Sequence, residues 1–549
     1  MRRKFEHSAL HWYIIYIVLS KKPKKSYLKN VGCLGPERGA ESTSGLNNNN
    51  GACRAAPLAA FATEGTTMTL INPSPSLHNE DLAPATERKW GAFSIFNVWT
   101  SDVHSLYGYF LAASLFLLCG SFLNFVIAIG VGSLVIFVLM SLVGNAGVRT
   151  GVPFPVLARA SFGTFGANVP ALVRAMVACF WYGAQTAAAG GAIVALLVRS
   201  PAMLEFHQTS QFLGHSTLEV ICFFFVWAAQ LMIIQRGMET VRRFQDWAGP
   251  AVWIMMLFLA IYLVIKAGSF SFGADIPQEV LLAATKDAGI PGVPGSVAAL
   301  AAVAATWITY FAALYLNFCD FSRYATSEAA LRKGNLWGLP VNLLAFCLVA
   351  GVTTTAAYTV YGEVLLHPDQ ISAKFDSWFL ALLAALTFTV ATLGINVVAN
   401  FVSAAFDISN TFPSKINFKR GGYIAAAIAL VLYPWAPWET GAAHFVNFIG
   451  SAMGPIFGVM MVDYYLIRKC KVDVNALYQE NGEFRFQGGF HTKAFVAFGA
   501  GIIVSSILPT FTTLLPMWWG TYGWFFGVGV GGAVYYALRA GAAEVAVTQ

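Results

Sequence analysis

The sequence predicts an all-α protein that crosses a membrane about twelve times. The 549 residues are 57% hydrophobic and only 11% charged, which is far from the composition of a soluble domain. Apolar runs long enough to cross about 30 Å of hydrocarbon recur along the chain, and Lys and Arg gather in the short loops between them. A helix bundle in a lipid bilayer accounts for both observations.

Residues 1–67 differ in composition from the rest of the chain. They hold a basic cluster, an apolar run that is too short to span a bilayer and a tract rich in Asn, Gly and Ser at 45–51, none of which can form a packed core. We expect an extension that is disordered or not translated, with a start at Met68 and a short cytoplasmic tail over 68–92. A signal-like segment is the alternative.

The apolar runs define the predicted spans and their grouping. They divide the chain into a first five-helix repeat at 93–267, a second at 295–467, two additional helices at 493–538 and a C-terminal tail at 539–549. The twelve runs lie at 93–118, 122–143, 168–198, 217–234, 247–267, 295–318, 337–360, 378–404, 421–437, 442–467, 493–515 and 518–538.

The basic residues of the loops predict the orientation of the bundle in the membrane. One set of alternate loops holds seventeen Lys and Arg residues, whereas the other set holds four, namely Arg199, Lys266, Lys286 and Lys374. The positive-inside rule places the rich set, and with it both termini, in the cytoplasm. We therefore expect a multi-pass protein of the cell's inner (plasma) membrane. The same patterning argues against a nucleic-acid partner, because the charges do not form a separate basic patch.

Two spans carry polar residues where a lipid-facing helix would be apolar. Irregular backbone at membrane depth is tolerated only where it lines a cavity, so both spans are predicted to break. The breaks fall five spans apart, as expected if two five-helix halves form an inverted repeat around a substrate site. The first span carries Ser101, Asp102, His104 and Ser105, and the sixth carries Thr306, Thr309, Tyr310 and Asn317.

Two pairs of side chains indicate how a ligand could be held. Trp181 and Gln185 lie one helical turn apart in the third span, and Asn396 and Asn400 lie one turn apart in the eighth. An unpaired amide in hydrocarbon costs several kcal/mol, so these amides must face protein, water or a ligand. An aromatic face with amides on either side suits a small, flat, polar heterocycle.

Six motifs make the chain resemble the nucleobase:cation symporter-1 family, over about Asn79 to Arg468. The resemblance implies a LeuT-like fold, secondary transport of nucleobases, allantoin, hydantoins or related vitamins, and a substrate site between the two repeats. The motifs are NEDLAPATERKW (79–90), GVPFPVLARASFG (151–163), WYGAQ (181–185), NFCDFSRYA (317–325), NVVAN (396–400) and VDYYLIRK (462–469).

The resemblance also implies a role for individual substrate-binding residues. Trp181 matches the family's stacking tryptophan, while Gln185 and Asn400 match its ligand-binding amides. The second stacking position falls on Phe311, where several members have Trp, and Trp307 lies one turn earlier on the same face. The polar position of the first span falls on Ser105 or His104, and Asn396 is a further candidate.

The matched cation site departs from the family's sodium-coupled members. Those members place two hydroxyl side chains in the eighth span, but the matched residues here are Gly394 and Ile395, with Ala391 a further candidate and the hydroxyls of Thr392 and Ser101 nearby. A hard cation needs oxygen ligands, so we favour H+ over Na+ as the coupling ion. Asp102 or His104 is then the titrating group, as an ionisable side chain inside a span.

Several alternatives stay open at this point. Allantoin and uracil are the favoured substrates, with a cytosine/purine or vitamin-type permease of the same fold, or a sodium-coupled carrier of another family, as alternatives. The spans contain neither a nucleophile motif nor a clustered metal-ligand set, so we expect no enzyme activity, no cofactor and no metal site. The protein is expected to function as a monomer.

Overall fold

The computed structural model describes residues 70–235, 237–268, 277, 279, 293–432 and 442–547. These residues belong to one compact unit, Leu70–Gln549. The predicted extension 1–67, the proposed start at Met68, the loop position of Lys286 and the turn between the ninth and tenth predicted spans lie outside the described residues.

The first half of the described chain contains nine α-helices and one short hairpin. The hairpin pairs strands β1 (Gln211–Phe212) and β2 (His215–Ser216) antiparallel. The helices are α1 (Ala92–Val103), α2 (Leu106–Leu118), α3 (Phe122–Thr150), α4 (Phe154–Leu157), α5 (Arg159–Phe162), α6 (Asn168–Leu197), α7 (Pro201–Thr209), α8 (Thr217–Ile234) and α9 (Met238–Ala267).

The second half is also helical and is interrupted by π-helical segments. Those segments are Trp337–Val341, Asn396–Val402, Val462–Ile467 and Ile503–Ile507, and short 3-10 turns cover Ala476–Tyr478, Glu483–Arg485 and Met517–Tyr522. The α-helices are α10 (Val297–Tyr310), α11 (Leu314–Asn317), α12 (Cys319–Ser322), α13 (Glu328–Leu336), α14 (Asn342–Tyr361), α15 (Pro368–Ala373), α16 (Trp378–Ile395), α17 (Ser403–Thr411), α18 (Phe418–Leu432), α19 (Ala442–Met461), α20 (Thr492–Ile502), α21 (Leu508–Phe511) and α22 (Gly523–Val547).

Seven helices of the described part are long and apolar enough to cross a membrane. The number rises to eight if the bent pair Val297–Tyr310 and Leu314–Ser322 is taken as one span. The other predicted spans appear as shorter or less apolar helices, of which Leu106–Leu118 is an example. The polytopic helical class is therefore confirmed, while the count of twelve spans stays a prediction.

Both predicted helix breaks are present. Helix α1 ends at Val103, and Ser105 starts α2 as its N-cap, with the Ser105 hydroxyl accepting a hydrogen bond from the Gly108 amide at 2.8 Å. In the other repeat, α10 ends at Tyr310 and the chain turns by 49° into α11. Each break frees backbone groups in the interior of the bundle, where a cavity can receive them.

Residues 70–91, which we call the N-terminal strap, are ordered against one end of the bundle. Arg159 Nη1 donates to the Leu77 carbonyl at 2.8 Å, and the Trp90 amide donates to the Tyr324 carbonyl at 2.9 Å. The Asn79 side chain donates to α17 and to the loop that follows it. The predicted cytoplasmic tail is thus a fixed segment that bonds to parts of both repeats.

Candidate functional site

A cavity of about 780 Å³ lies between the two broken helices. Its deep part is bordered by Asp102, the last residue but one of α1, by α6 and by the π-helical segment Asn396–Val402. From there it extends to Leu118, Val364 and Thr521, which lie at the end of the bundle away from the basic loops. The volume falls within the range of small-molecule sites, roughly 300–1,000 Å³.

Helix α6 supplies one wall of this cavity through Trp181 and Gln185. Helical spacing places both side chains on the same face, as the sequence predicts. Gln185 is only 3% exposed, and its Oε1 has no hydrogen-bond partner among the residues that the structure describes. A buried amide oxygen without a partner is costly, so a ligand that donates to it gains affinity.

Asn400 supplies a second wall, and Asn396 stands behind it. Asn400 Nδ2 donates to Asn396 Oδ1 at 2.8 Å. Asn396 Nδ2 donates in turn to the Tyr182 carbonyl at 3.0 Å and to Gln230 Oε1 at 3.0 Å. Of the two predicted asparagines, Asn400 borders the cavity, whereas Asn396 is fully buried in a network that joins α6, α8 and the π-helical segment.

Three aromatic rings form a continuous surface beside the cavity, which we call the aromatic wall: Trp181, Tyr107 and Tyr310. The ring centroids of Tyr107 and Trp181 are 4.9 Å apart, edge to face, and those of Tyr107 and Tyr310 are 5.9 Å apart, stacked. All three residues border the cavity. Sequence reasoning found Trp181 but assigned no binding role to the two tyrosines.

The structure does not bring the predicted Phe311 and Trp307 to the cavity. Both side chains are fully buried behind it. Phe311 packs against Trp99, with ring centroids 6.3 Å apart, and Trp307 packs edge to face on Tyr310 at 5.6 Å. Because α10 ends at Tyr310, the residue that faces the cavity is one position earlier than the motif alignment suggested.

The candidate coupling residues separate into two groups. Asp102 and Ile395 border the main cavity, whereas His104, Ser105 and Ala391 border a small neighbouring pocket of about 20 Å³. The His104 ring packs edge to face on Trp253 and Phe346, at 4.8 and 5.1 Å. The Ser105 hydroxyl still reaches the aromatic wall through Tyr310 Oη, at 3.4 Å.

Ser101 and Gly394 face each other where α1 meets α16. The Ser101 hydroxyl and both Asp102 carboxylate oxygens are buried without a hydrogen-bond partner in the described ranges. Gly394 and Ile395 carry no side-chain oxygen that could complete a cation cage here. Across the described residues, no cluster of three or more His, Cys, Asp or Glu could hold a metal ion.

Arg174 lies at the deep end of the cavity, within the predicted third span. It is inside α6 and fully buried. Its Nε donates to the Ala313 carbonyl at 3.1 Å, and its Nη2 donates to Asn317 Oδ1 at 3.2 Å and to the Ala399 carbonyl at 2.5 Å. Arg174 thus ties α6 to both the α10–α11 break and the π-helical segment.

The chain matches known permeases over most of its length. Residues 83–536 match the family model described as permease for cytosine/purines, uracil, thiamine, allantoin. An allantoin permease of Bacillus subtilis (strain 168) is 34% identical over 470 residues, covering 84% of this chain and 93% of the relative. A purine-uracil permease of Arabidopsis thaliana is 32% identical over 444 residues, covering 80% of this chain and 72% of the relative.

Solved structures share the fold at lower identity. A closed conformation of Mhp1, a nucleobase-cation-symport-1 family transporter with bromovinylhydantoin bound, has a TM-score of 0.66 at 21% identity, covering 84% of this chain and 97% of that chain. The inward-facing conformation of Mhp1 has a TM-score of 0.65 at 20% identity, covering 86% and 95%. The chain therefore belongs to the family of permeases for cytosine/purines, uracil, thiamine and allantoin, and it is a membrane transporter rather than an enzyme.

Proposed function

We propose that this chain imports a small planar nitrogen heterocycle, of the allantoin, uracil or hydantoin class, by cation-coupled alternating access. The observation that carries the proposal is the cavity at the two helix breaks, which places the Gln185 and Asn400 amides beside the aromatic wall. The names of the allantoin and purine-uracil permeases that resemble it support the same substrate class.

The chemistry of the cavity suits such a ligand. A flat ring can stack on the aromatic wall, and its N–H and C=O groups can pair with Gln185 and Asn400 at its edges. The aromatic wall provides contact area for the face of the ring, while the two amides fix the orientation of the ring in the cavity. Most of the remaining lining is apolar, so burial of the faces of the ring adds to the binding free energy.

We propose H+ as the coupling ion and Asp102 as the group that carries it. Asp102 borders the substrate cavity and is 1% exposed, whereas His104 lies in the separate small pocket. The matched sodium positions, Gly394 and Ile395, offer no hydroxyl ligand, and the hydroxyls of Ser101 and Thr392 nearby are two fewer than a cage of about six oxygens would need even with two backbone carbonyls. A carboxyl that borders the substrate site can exchange a proton with one side in one conformation and with the other side after the transition.

Access is proposed to alternate between the two ends of the bundle. In this structure the cavity reaches Leu118 and Thr521, at the end that the loop charges assign to the outside, while Arg174 closes the other end. Movement of one helical repeat against the other would break the Arg174 bonds and open the cytoplasmic side. Both termini would remain in the cytoplasm, and one copy of the chain would suffice.

The test is uptake by purified protein in proteoliposomes. Radiolabelled allantoin, uracil, hydantoin and cytosine are supplied under an inward H+ gradient, an inward Na+ gradient or neither, with and without a protonophore. We expect saturable uptake of at least one of the first three compounds, driven by the H+ gradient and abolished by the protonophore. Uptake driven by Na+ alone would refute the proton assignment, and absence of saturable uptake of every compound would refute the substrate class.

A further inference from the structure

The hydrogen bonds behind the cavity fix which atom of Asn400 faces the ligand. An amide side chain can in general turn either its oxygen or its NH2 group toward a ligand, and a rotation by 180° exchanges them. The Asn400 amide has one orientation, because a chain of hydrogen bonds that starts at a backbone carbonyl determines it.

The chain starts at the carbonyl oxygen of Tyr182 in α6. A backbone carbonyl can only accept, so the Asn396 atom that lies 3.0 Å from it must be Nδ2. Asn396 Oδ1 then points to Asn400, and a second oxygen placed there would be repelled. The Asn400 atom that lies 2.8 Å from Asn396 Oδ1 must therefore be Nδ2.

Gln230 in α8 fixes Asn396 from a second direction. The Thr186 hydroxyl donates its single hydrogen to the Tyr182 carbonyl at 2.6 Å, so toward Gln230 it can only accept. Gln230 must therefore place its Nε2 at Thr186, 3.2 Å away, and its Oε1 at Asn396 Nδ2, 3.0 Å away. Asn396 Nδ2 also lies 3.1 Å from the Thr186 hydroxyl, which accepts from it. Gln230, Thr186 and Asn396 are all fully buried, so water does not compete for these bonds.

We propose that Gln230 is a positioning residue that, through Asn396, holds Asn400 with its Oδ1 toward the cavity, so that the transported ring must present an N–H group to Asn400. The proposal rests on the proposed function, because it specifies the ligand for the same site. Gln185 is not held in this way: its Oε1 has no partner in the described part of the chain, so its amide can turn to suit a donor or an acceptor. The edge of the ligand at Asn400 must therefore carry a hydrogen-bond donor, whereas the edge at Gln185 can carry a donor or an acceptor.

The first test compares ligands on the wild-type protein in detergent, using direct binding of uracil, 1-methyluracil and 3-methyluracil, and of hydantoin with its 1-methyl and 3-methyl derivatives. Methylation of the nitrogen that faces Asn400 removes the donor and leaves a buried acceptor unpaired, so we expect that derivative to bind at least about tenfold more weakly than its parent. Equal binding of a parent and both its methyl derivatives would overturn the proposal.

The second test changes Gln230 without touching the cavity. Gln230→Met keeps the length of the side chain but removes its bonds to Asn396 and Thr186. Asn396 Nδ2 keeps the Tyr182 carbonyl and the Thr186 hydroxyl as acceptors, so the orientation of Asn400 is expected to be held less tightly rather than released. The preference for the parent ligand over the discriminated methyl derivative should fall at least about threefold, a change in ratio that a general loss of folded protein does not produce. A ratio equal to that of wild type would overturn the role of Gln230. Gln245→Met is the matched control, since Gln245 is a buried glutamine of α9 and is not part of this network; it should keep the wild-type ratio.

A third measurement does not need a ligand. The apparent melting temperatures of Gln230→Met, Asn396→Val and the double variant form a cycle, and the bond between the two residues predicts that the double variant loses clearly less than the sum of the two single shifts. Additive shifts would refute the hydrogen-bond chain even if no compound binds. Failure of wild type to bind any of the compounds, with a non-additive cycle, would instead refute the proposed substrate class and the N–H requirement drawn from it.

Discussion

Gln185 is the cavity residue whose loss should reduce binding most directly. Its amide is nearly buried and lacks a protein partner for Oε1 among the described residues, so a bound ring supplies the missing bond. We expect Gln185→Ala to weaken substrate affinity at least about tenfold, from loss of a desolvated hydrogen bond of about 1.4 kcal/mol. The measurement is the dissociation constant of purified protein, with Gln245→Ala as a buried glutamine outside the cavity for comparison. Unchanged affinity in Gln185→Ala would remove Gln185 from the site.

The motif alignment and the observed cavity assign the second aromatic contact of the ligand to different residues. Tyr310 borders the cavity and Phe311 packs behind it on Trp99. We expect Tyr310→Ala to weaken binding roughly threefold to tenfold through the lost ring contact, and Phe311→Leu, which keeps an apolar side chain, to leave affinity close to wild type. Titration of both variants with the same ligand decides the point. A larger loss in Phe311→Leu than in Tyr310→Ala would restore Phe311 as the stacking residue.

Single residues were predictable where helix periodicity alone fixes their direction. Trp181 and Gln185 share a face in an uninterrupted stretch of α6, so their spacing was sufficient. Phe311 lies at the point where α10 ends, and the direction of a side chain there depends on the turn rather than on a 3.6-residue repeat. Gln230 was missed because a lone glutamine in an apolar run gives no sign of which distant amide it meets.

At the scale of elements, Arg174 holds together three segments that would separate in the proposed opening of the cavity to the other side. It bonds to Ala313 and Asn317 in the sixth predicted span and to Ala399 in the eighth.

We expect Arg174→Gln to lower the free energy of unfolding by roughly 1–3 kcal/mol, because it removes a charged donor from the Ala313 and Ala399 carbonyls in the interior of the protein. Thermal unfolding in detergent measures the effect, with Arg243→Gln as the control, since Arg243 pairs with Glu239 at an exposed position. A melting temperature for Arg174→Gln as high as that of the control would show that the charge does not stabilise this state.

Helix boundaries were predictable to the extent that apolar runs and breakers mark them. The breaks at Ser105 and after Tyr310 were anticipated from polar residues inside apolar spans. The π-helical segment Asn396–Val402 was not, because a single extra residue in a helical turn leaves no compositional mark. Its effect is nevertheless large, since it sets the directions in which Asn396 and Asn400 point.

At the scale of the whole molecule, Asp102 is expected to link the proton gradient to transport. For a proton symporter, wild-type uptake rises as the external pH falls, because more carriers enter the cycle loaded. Asp102→Asn removes the titrating group, so we expect concentrative uptake to be lost and its pH dependence to flatten, while exchange of labelled for unlabelled substrate continues. Uptake and counterflow in the same proteoliposomes separate these effects. Proton-driven accumulation by Asp102→Asn would assign the coupling to another group.

The class of the whole molecule, a helical membrane protein, followed from composition, because the apolar surface of such a chain is stable in lipid rather than in water. Loop charges and paired breaks then suggested an orientation and an inverted repeat, and the likeness to Mhp1 supports the fold. The position of the cavity along the bundle was not predictable, since it depends on how far the two repeats are separated at each end in this conformation. That distance is a property of packing between distant segments.

The N-terminal strap, finally, has a consequence for the speed of the carrier. It bonds to α5 through Arg159, to α17 through Asn79 and to the segment after α12 through Trp90, yet it contributes no residue to the cavity. Rearranging these bonds during opening would cost the same free energy whichever compound is carried. Substitutions in the strap should therefore alter turnover number and leave the order of preference among substrates unchanged, which makes it a part of the molecule where transport rate can evolve independently of selectivity.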